Sequence, residues 1–298
     1  MQQPPRVAIL GVTGFIGRGL PTLLVERGFA CTGISRAGAG NVPGIDRWQS
    51  PASLDLSGHH AVINLAGEPI DRRWTAANRH RFHESRVGLT RRLVEHIRGL
   101  PADARPKVLV NGSAVGIYGD RGDEILTESA AAGDGYLAGL CREWEDAAIE
   151  AEASGLRVVR PRTGVVLGRG GAAFGKLLLV FKYGLGGRLG NGRQWMPWIH
   201  LDDLRAALIH AVVSDTLTGA ANCSAPHPER NRDFTRKFAA AVHRPALLPV
   251  PGFALKLALG GFGGALLAGQ RALPAALEAD GFRFRFSTLE SALAELLG

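Results

Sequence analysis

A glycine-spaced turn, an arginine, two hydroxyls and a histidine are the groups in this chain whose types and spacing could do chemistry. Gly11, Gly14 and Gly17 follow the apolar run at 7–10 and lead into a helix-like stretch. At that spacing the first glycine permits a tight turn off a buried strand. The second lets a pyrophosphate approach the backbone, and the third lets the new helix pack on the sheet. Free N–H groups and the positive end of a helix dipole then favour an anion. Ser35-Arg36 closes the next strand-like run, 30–34. A carboxylate there would accept from a ribose 2′-hydroxyl and repel a 2′-phosphate. A hydroxyl beside a guanidinium suits the phosphate. The expected cofactor is therefore NADP(H) rather than NAD.

Ser113 and Tyr118 come just after a further apolar run, 107–112. In open α/β sheets ligands bind at that carboxyl edge, so these two hydroxyls are the catalytic candidates for moving a proton. His200 is a second titratable candidate because its intrinsic pKa is near neutral; its competing role is to fix the following loop by hydrogen bonding. Glu68 and Trp74 are expected to line the substrate side. Trp198, with Trp195, Met196 and Pro197 before it, suggests an apolar substrate or a partner surface. Arg86 could reach an anion. Cys31, Cys141 and Cys223 are far apart and lack CxxC spacing, which argues against a disulfide framework or a metal site and for small core fillers.

These groups need a scaffold, and the chain has material for one. Of 298 residues, 46% are apolar and 21% charged, enough for a large α/β core. A net charge of +8 fits an anionic ligand. The basic residues are scattered without an arginine-lysine block, so nucleic acid is not an expected partner. Residues 1–5 read as a polar tail rather than a signal peptide, and the expected location is cytoplasmic. The apolar stretch 246–269 is interrupted by Pro249, Pro251, Lys256 and a glycine cluster. It reads as a buried or partner-facing helix pair rather than a membrane span, with a peripheral membrane contact as the alternative.

Strand-like runs at 7–10, 30–34, 61–67, 107–112 and 156–167 alternate with helical patterns at 15–27, 72–99 and 134–153. Pro21 predicts a kink in the first helix. Such alternation implies a parallel sheet with helices on both faces. The expected fold is α/β, a Rossmann-type doubly wound parallel sheet over 1–167. A smaller C-terminal α/β substrate domain fills most of 168–298, with 194–222 returning to the core. Residues 37–60 show no clear strand. The glycine-rich stretch 168–192 is a candidate lid. Phe282-Arg283-Phe284-Arg285-Phe286 alternates like a half-buried strand.

GVTGFIG at 11–17, NLAG at 64–67, SAVGIYG at 113–119, RTGVVLG at 162–168 and WIHLDDL at 198–204 resemble the extended short-chain dehydrogenase/reductase superfamily. GEPIDRRW at 67–74, GLGGRLGNGRQWMPWIH at 184–200 and RALPAALEADGFRF at 271–284 are similar to its "epimerase family protein" branch. That resemblance implies dinucleotide contacts from Gly11, Thr13, Gly14, Phe15, Ile16 and Gly17, and ribose-phosphate contacts from Ser35 and Arg36. It implies central contacts from Leu65 and Ala66, and a further cofactor contact from Arg86. The superfamily's proton relay pairs a Tyr with a Lys four residues on, which shares its helix face. Here Leu137 and Cys141 stand at those positions. Tyr136 is one place off, about 100° around the helix, no lysine is present on it, and Ser113 falls one residue early. The expected function is an NADP(H)-binding oxidoreductase or nucleotide-sugar epimerase-like enzyme with non-standard acid/base residues, acting on a small-molecule substrate. The alternative is a catalytically silent NADP(H) sensor that acts through a protein partner. A homodimer is compatible with either.

Overall fold

The computed structural model describes residues 3–298, so the first two residues of the polar tail lie outside the described residues. Seven parallel strands form the central sheet: β1 Arg6–Leu10, β2 Ala30–Ile34, β3 Arg47–Gln49, β4 Ala61–Asn64, β5 Val108–Asn111, β6 Arg157–Thr163 and β7 Gly219–Cys223. Their spatial order is β7-β6-β5-β4-β1-β2-β3, with Ser113–Ala114 adding a short pairing beside β6. Val7 lies opposite Cys31 on one side and Ala61 on the other. The chain builds outward from β1 in one direction and then returns to build in the other. The two halves part at the carboxyl ends of β1 and β4, and the crevice there is where such sheets take ligands.

Alternate residues of β1 serve the two faces. Val7 and Ile9 join Leu20, Leu24, Leu204 and Leu208, whereas Ala8 and Leu10 join Leu93, Val94 and Ile97. Each fully buried Val, Leu or Ile contributes about 1.5–3 kcal/mol, so a one-residue slip of β1 would misplace three such side chains, Val7, Ile9 and Leu10.

The helices are α1 Leu20–Val25, α2 Ala76–His83, α3 Leu89–Gly99, α4 Tyr136–Ile149, α5 Ala172–Lys182, α6 Leu201–Val213, α7 Asn231–Ala241, α8 Gly252–Leu259, α9 Gly261–Ala265, α10 Ala275–Ala279 and α11 Leu289–Leu297. A tight turn of helix at Gly17–Gly19 precedes α1 and places Pro21 in the first turn of α1. There its missing N–H has no partner to lose, because the Gly17 carbonyl already accepts from the Leu20 N–H. Between α2 and α3 the helix widens at Glu84–Gly88, where the Leu89 N–H reaches back to the Glu84 carbonyl. Helices α5, α7 and α11 enclose a second core of Phe174, Phe181, Phe234, Phe238 and Leu293.

Two expectations are corrected. β3 lies within the stretch read as loop; it is three residues long, and Trp48 covers Gly33 and Gly40 so closely that a Cβ on either would meet its ring below 3 Å. Residues 282–286 do alternate in burial, but they form no strand. The N–H groups of Arg285 and Phe286 donate to the Asp203 carboxylate, each at 2.9 Å. A single buried side chain thus replaces the partner strand. The stretch 246–269 holds α8 and α9, joined at Gly260 with φ +62°. Among the described residues no helix is long and apolar enough to cross a membrane.

Candidate cofactor and substrate site

The glycine turn leaves β1 with Gly11 at φ +79°. A Cβ on Gly11 would lie 2.9 Å from the Leu65 carbonyl, and one on Gly17 would lie 2.3 Å from the Gly11 oxygen. Backbone packing therefore requires both glycines. Gly14 meets the Gly11 oxygen at 3.1 Å and is otherwise open. Arg205 of α6 reaches under the turn: Nε donates to the Ile16 oxygen and Nη2 to the Phe15 oxygen, both at 3.0 Å. No acceptor among the described residues takes the N–H groups of Thr13, Phe15 or Ile16. A cradle of free donors beside an open glycine fits a dinucleotide pyrophosphate.

Leu65 and Ala66 form the facing wall, since Leu65 N–H bonds to the Leu10 oxygen at 3.0 Å. Ser35 donates its N–H to the Gln49 oxygen at 3.1 Å and its hydroxyl to the Ala39 oxygen at 2.8 Å. Arg36 is exposed, and no carboxylate among the described residues pairs with it. Its guanidinium is free at the end of β2.

The catalytic candidates lie elsewhere than expected. Ser113 Oγ donates to Glu145 Oε1 at 2.6 Å. Glu145, only 3% exposed, also accepts from Arg162 Nε at 2.8 Å and Nη2 at 2.9 Å, and from Arg160 at 3.2 Å. Arg162 Nη1 donates to the Tyr118 oxygen at 2.9 Å, and Tyr118 donates to Asn222 Oδ1 at 2.7 Å. Burial pushes the Tyr118 phenol up, against the pull of Arg162. Both hydroxyls thus belong to a closed polar network beneath the sheet edge, and the expectation of Tyr118 as a substrate-facing acid is corrected: the side chain is fully buried.

Trp198 is corrected likewise, whereas His200 takes the competing role expected of it and fixes the loop that follows by hydrogen bonding. His200 Nδ1 accepts from the Asp202 N–H at 3.1 Å and caps α6, while Nε2 reaches Glu295 of α11 at 3.0 Å. Trp198 is fully buried, with Nε1 donating to the His227 oxygen. They hold the C-terminal core together rather than line a substrate.

Arg86 lies on the widened helical turn between α2 and α3. A Cβ on Gly67 would stand 3.0 Å from Arg86 Cζ, so that glycine makes room for the guanidinium. Cζ lies 5.4 Å from the ring of Trp144, whose Nε1 is held by Thr90 at 3.0 Å. The side-chain hydrogen bond that Arg86 makes is a long one, 3.5 Å to Ser85 Oγ. No carboxylate among the described residues forms an ion pair with it. Burial lowers its pKa, with Cys141, Tyr136 and Glu68 as the opposing neighbours. Trp74 closes the other side, 5.0 Å from the Tyr136 ring and so near Gly261 that a side chain there would clash. Leu137 and buried Cys141, which the resemblance sets at the usual Tyr and Lys positions, lie on α4. Arg86 supplies a positive charge beside that face.

Sequence reasoning missed Arg205 and the Glu145–Arg162 pair. Arg162 did carry a signal, a guanidinium in the middle of a buried strand. Arg205 carried none, because its partners lie 189 and 190 residues away.

A model of the NAD dependent epimerase/dehydratase family matches residues 7–221. The chain belongs to this family. A domain of unknown function follows the family core at 250–296. An epimerase family protein of Mycobacterium bovis is 40% identical over 294 residues, covering 96% of both chains. The human epimerase family protein SDR39U1 is 36% identical over 297 residues, covering 98% of this chain and 99% of its own. A crystal structure of that human protein with NADPH superposes with a TM-score of 0.87 at 35% identity, covering 98% of this chain and 99% of the other.

Proposed function

We propose that this family member binds NADP(H) and works as an oxidoreductase or epimerase-like enzyme on a carbonyl or carbinol carbon of a small substrate. The observation that carries the reading is Arg86: a half-buried guanidinium without an anionic partner, beside the helix face that lacks the Tyr–Lys pair. The free N–H groups of Thr13, Phe15 and Ile16 would hold the pyrophosphate, with Gly11, Gly14 and Gly17 giving the room. Leu65 and Ala66 would flank the middle of the dinucleotide, and Ser35 with Arg36 would hold the 2′-phosphate. When bound, the dinucleotide supplies or accepts the hydride. Arg86 holds the oxygen on the reacting carbon, where negative charge develops as the carbon gains hydride. A guanidinium stays protonated, so it stabilises that oxygen without donating a proton, and the proton exchanges with solvent. Glu68 and Trp74 bound the substrate on either side.

Calorimetry with NADPH, followed by nicotinamide absorbance with a panel of aldehydes, ketones and nucleotide sugars, tests this reading. Arg86→Met should lower kcat/KM about 100-fold and leave NADPH affinity within about threefold. An equal loss in NADPH affinity would return Arg86 to the cofactor. The closed Ser113–Glu145–Arg162–Tyr118 network supports a second reading, the silent NADP(H) sensor. Tight NADPH binding without turnover of any compound would favour that one.

A further inference from the structure

The positive charge of this chain is unevenly placed. Residues 153–201 and 234–277 contain thirteen Lys and Arg and no Asp or Glu, which leaves 22 basic against 27 acidic residues elsewhere. The exposed apolar surface follows the same two segments. Among the described residues, eight of the eleven large apolar side chains left exposed lie within 179–185 or 247–257. Leu179 is 59% exposed, Tyr183 74%, Leu185 61%, Leu247 81%, Phe253 75% and Leu257 77%.

The two segments are laced together. Arg244 Nε donates to the Lys182 oxygen at 3.2 Å, the Val250 N–H to the Arg188 oxygen at 2.8 Å, and the Gly190 N–H to the Val250 oxygen at 2.8 Å. Phe253 and Leu257 are four residues apart on α8 and share one face. Exposed Lys182, Arg188, Arg244 and Lys256 stand among these apolar side chains. Asp71 approaches the margin and is taken by Lys176 at 2.6 Å. Eight exposed apolar side chains gathered on two hydrogen-bonded segments differ from surface hydrophobics scattered singly.

We propose that this face, α8 with the end of α5 and the loop after it, lies on an anionic phospholipid surface. Apolar side chains would enter the boundary between headgroups and acyl chains, and the surrounding lysines and arginines would meet the negative headgroups. The charge argues for lipid over a second copy of this chain: two such faces would set basic groups against basic groups with no carboxylate between them. No described helix can span a bilayer, so the contact is peripheral.

Flotation of the full chain with vesicles tests the proposal. The chain should float with vesicles of equal parts phosphatidylcholine and phosphatidylglycerol, and remain below with phosphatidylcholine alone. The double variant Phe253→Asp/Leu257→Asp should lower vesicle affinity at least about tenfold, as should Lys182→Glu/Lys256→Glu. All four positions are exposed, so thermal stability and NADPH affinity should match the parent and show that the variants fold. Equal flotation of parent and variants, or none with the anionic vesicles, would overturn the proposal. Light scattering that finds the parent dimeric and the Asp variant monomeric would also overturn it and assign the face to self-association.

Discussion

Replacing Arg36 with Asp isolates the cofactor assignment from folding. Arg36 is exposed and forms no ion pair among the described residues, so its loss removes nothing from the folded protein's own contacts. Toward a 2′-phosphate the change acts twice. It deletes charge-assisted hydrogen bonds, each contributing about 1.5–3 kcal/mol. It also sets a carboxylate near a phosphate, a repulsion of about 1 kcal/mol per charge pair at 4 Å in water. Counting one such hydrogen bond and one repulsive pair, these amount to roughly 2.5–4 kcal/mol, or about 10²–10³ in affinity. NADH carries no such phosphate and should bind Arg36→Asp about as well as the parent. The assay is paired calorimetric titration with NADPH and NADH at fixed ionic strength, since salt would screen an exposed site. A change of less than about threefold in the ratio of the two affinities would refute the electrostatic argument.

Other consequences follow from groups the fold buries. Glu145→Gln should cost about 3–5 kcal/mol in urea denaturation, because Arg162 would be left as an uncompensated buried charge. Tyr118→Phe should cost about 1–3 kcal/mol by leaving Asn222 and Arg162 short of a partner, with NADPH affinity unchanged; a tenfold loss of affinity at parental stability would place the phenol against the ligand. The hydrogen bonds from Arg6 hold the Asp46 carboxyl below its ordinary value. Because that folded pKa is depressed, its contribution is complete above about pH 4 and declines as pH falls through the folded value. Asp46→Asn should therefore be less stable than the parent by up to about 1 kcal/mol near neutrality, and the gap should close in acid. Burial pushes the Cys31, Cys141 and Cys223 thiols up to about 12. A thiol reagent at mildly alkaline pH should modify none of the three until denaturant is added, and rapid labelling of the native protein would contradict their burial.

What the sequence determined alone is whatever depends on near neighbours. The strand at 7–10, the glycines after it and Ser35-Arg36 at the end of β2 are read from residue type and spacing. Turn geometry, apolar runs and the order of parallel strands follow from local chemistry and from handed connections. β3 escaped because three residues, Arg47–Gln49, carry too little pattern to separate a strand from the surrounding loop. The alternation at 282–286 was real, but its cause was not legible: the donors there meet Asp203, 82 and 83 residues earlier. Tertiary structure alone decided the fate of polar side chains. Tyr118, Ser113 and His200 have the chemistry of proton carriers, yet Arg162, Glu145 and Glu295 engage them from distant elements. It likewise left Arg86 without an anion. Whether a charge is paired depends on which groups packing brings within about 4 Å, and sequence separation does not carry that distance.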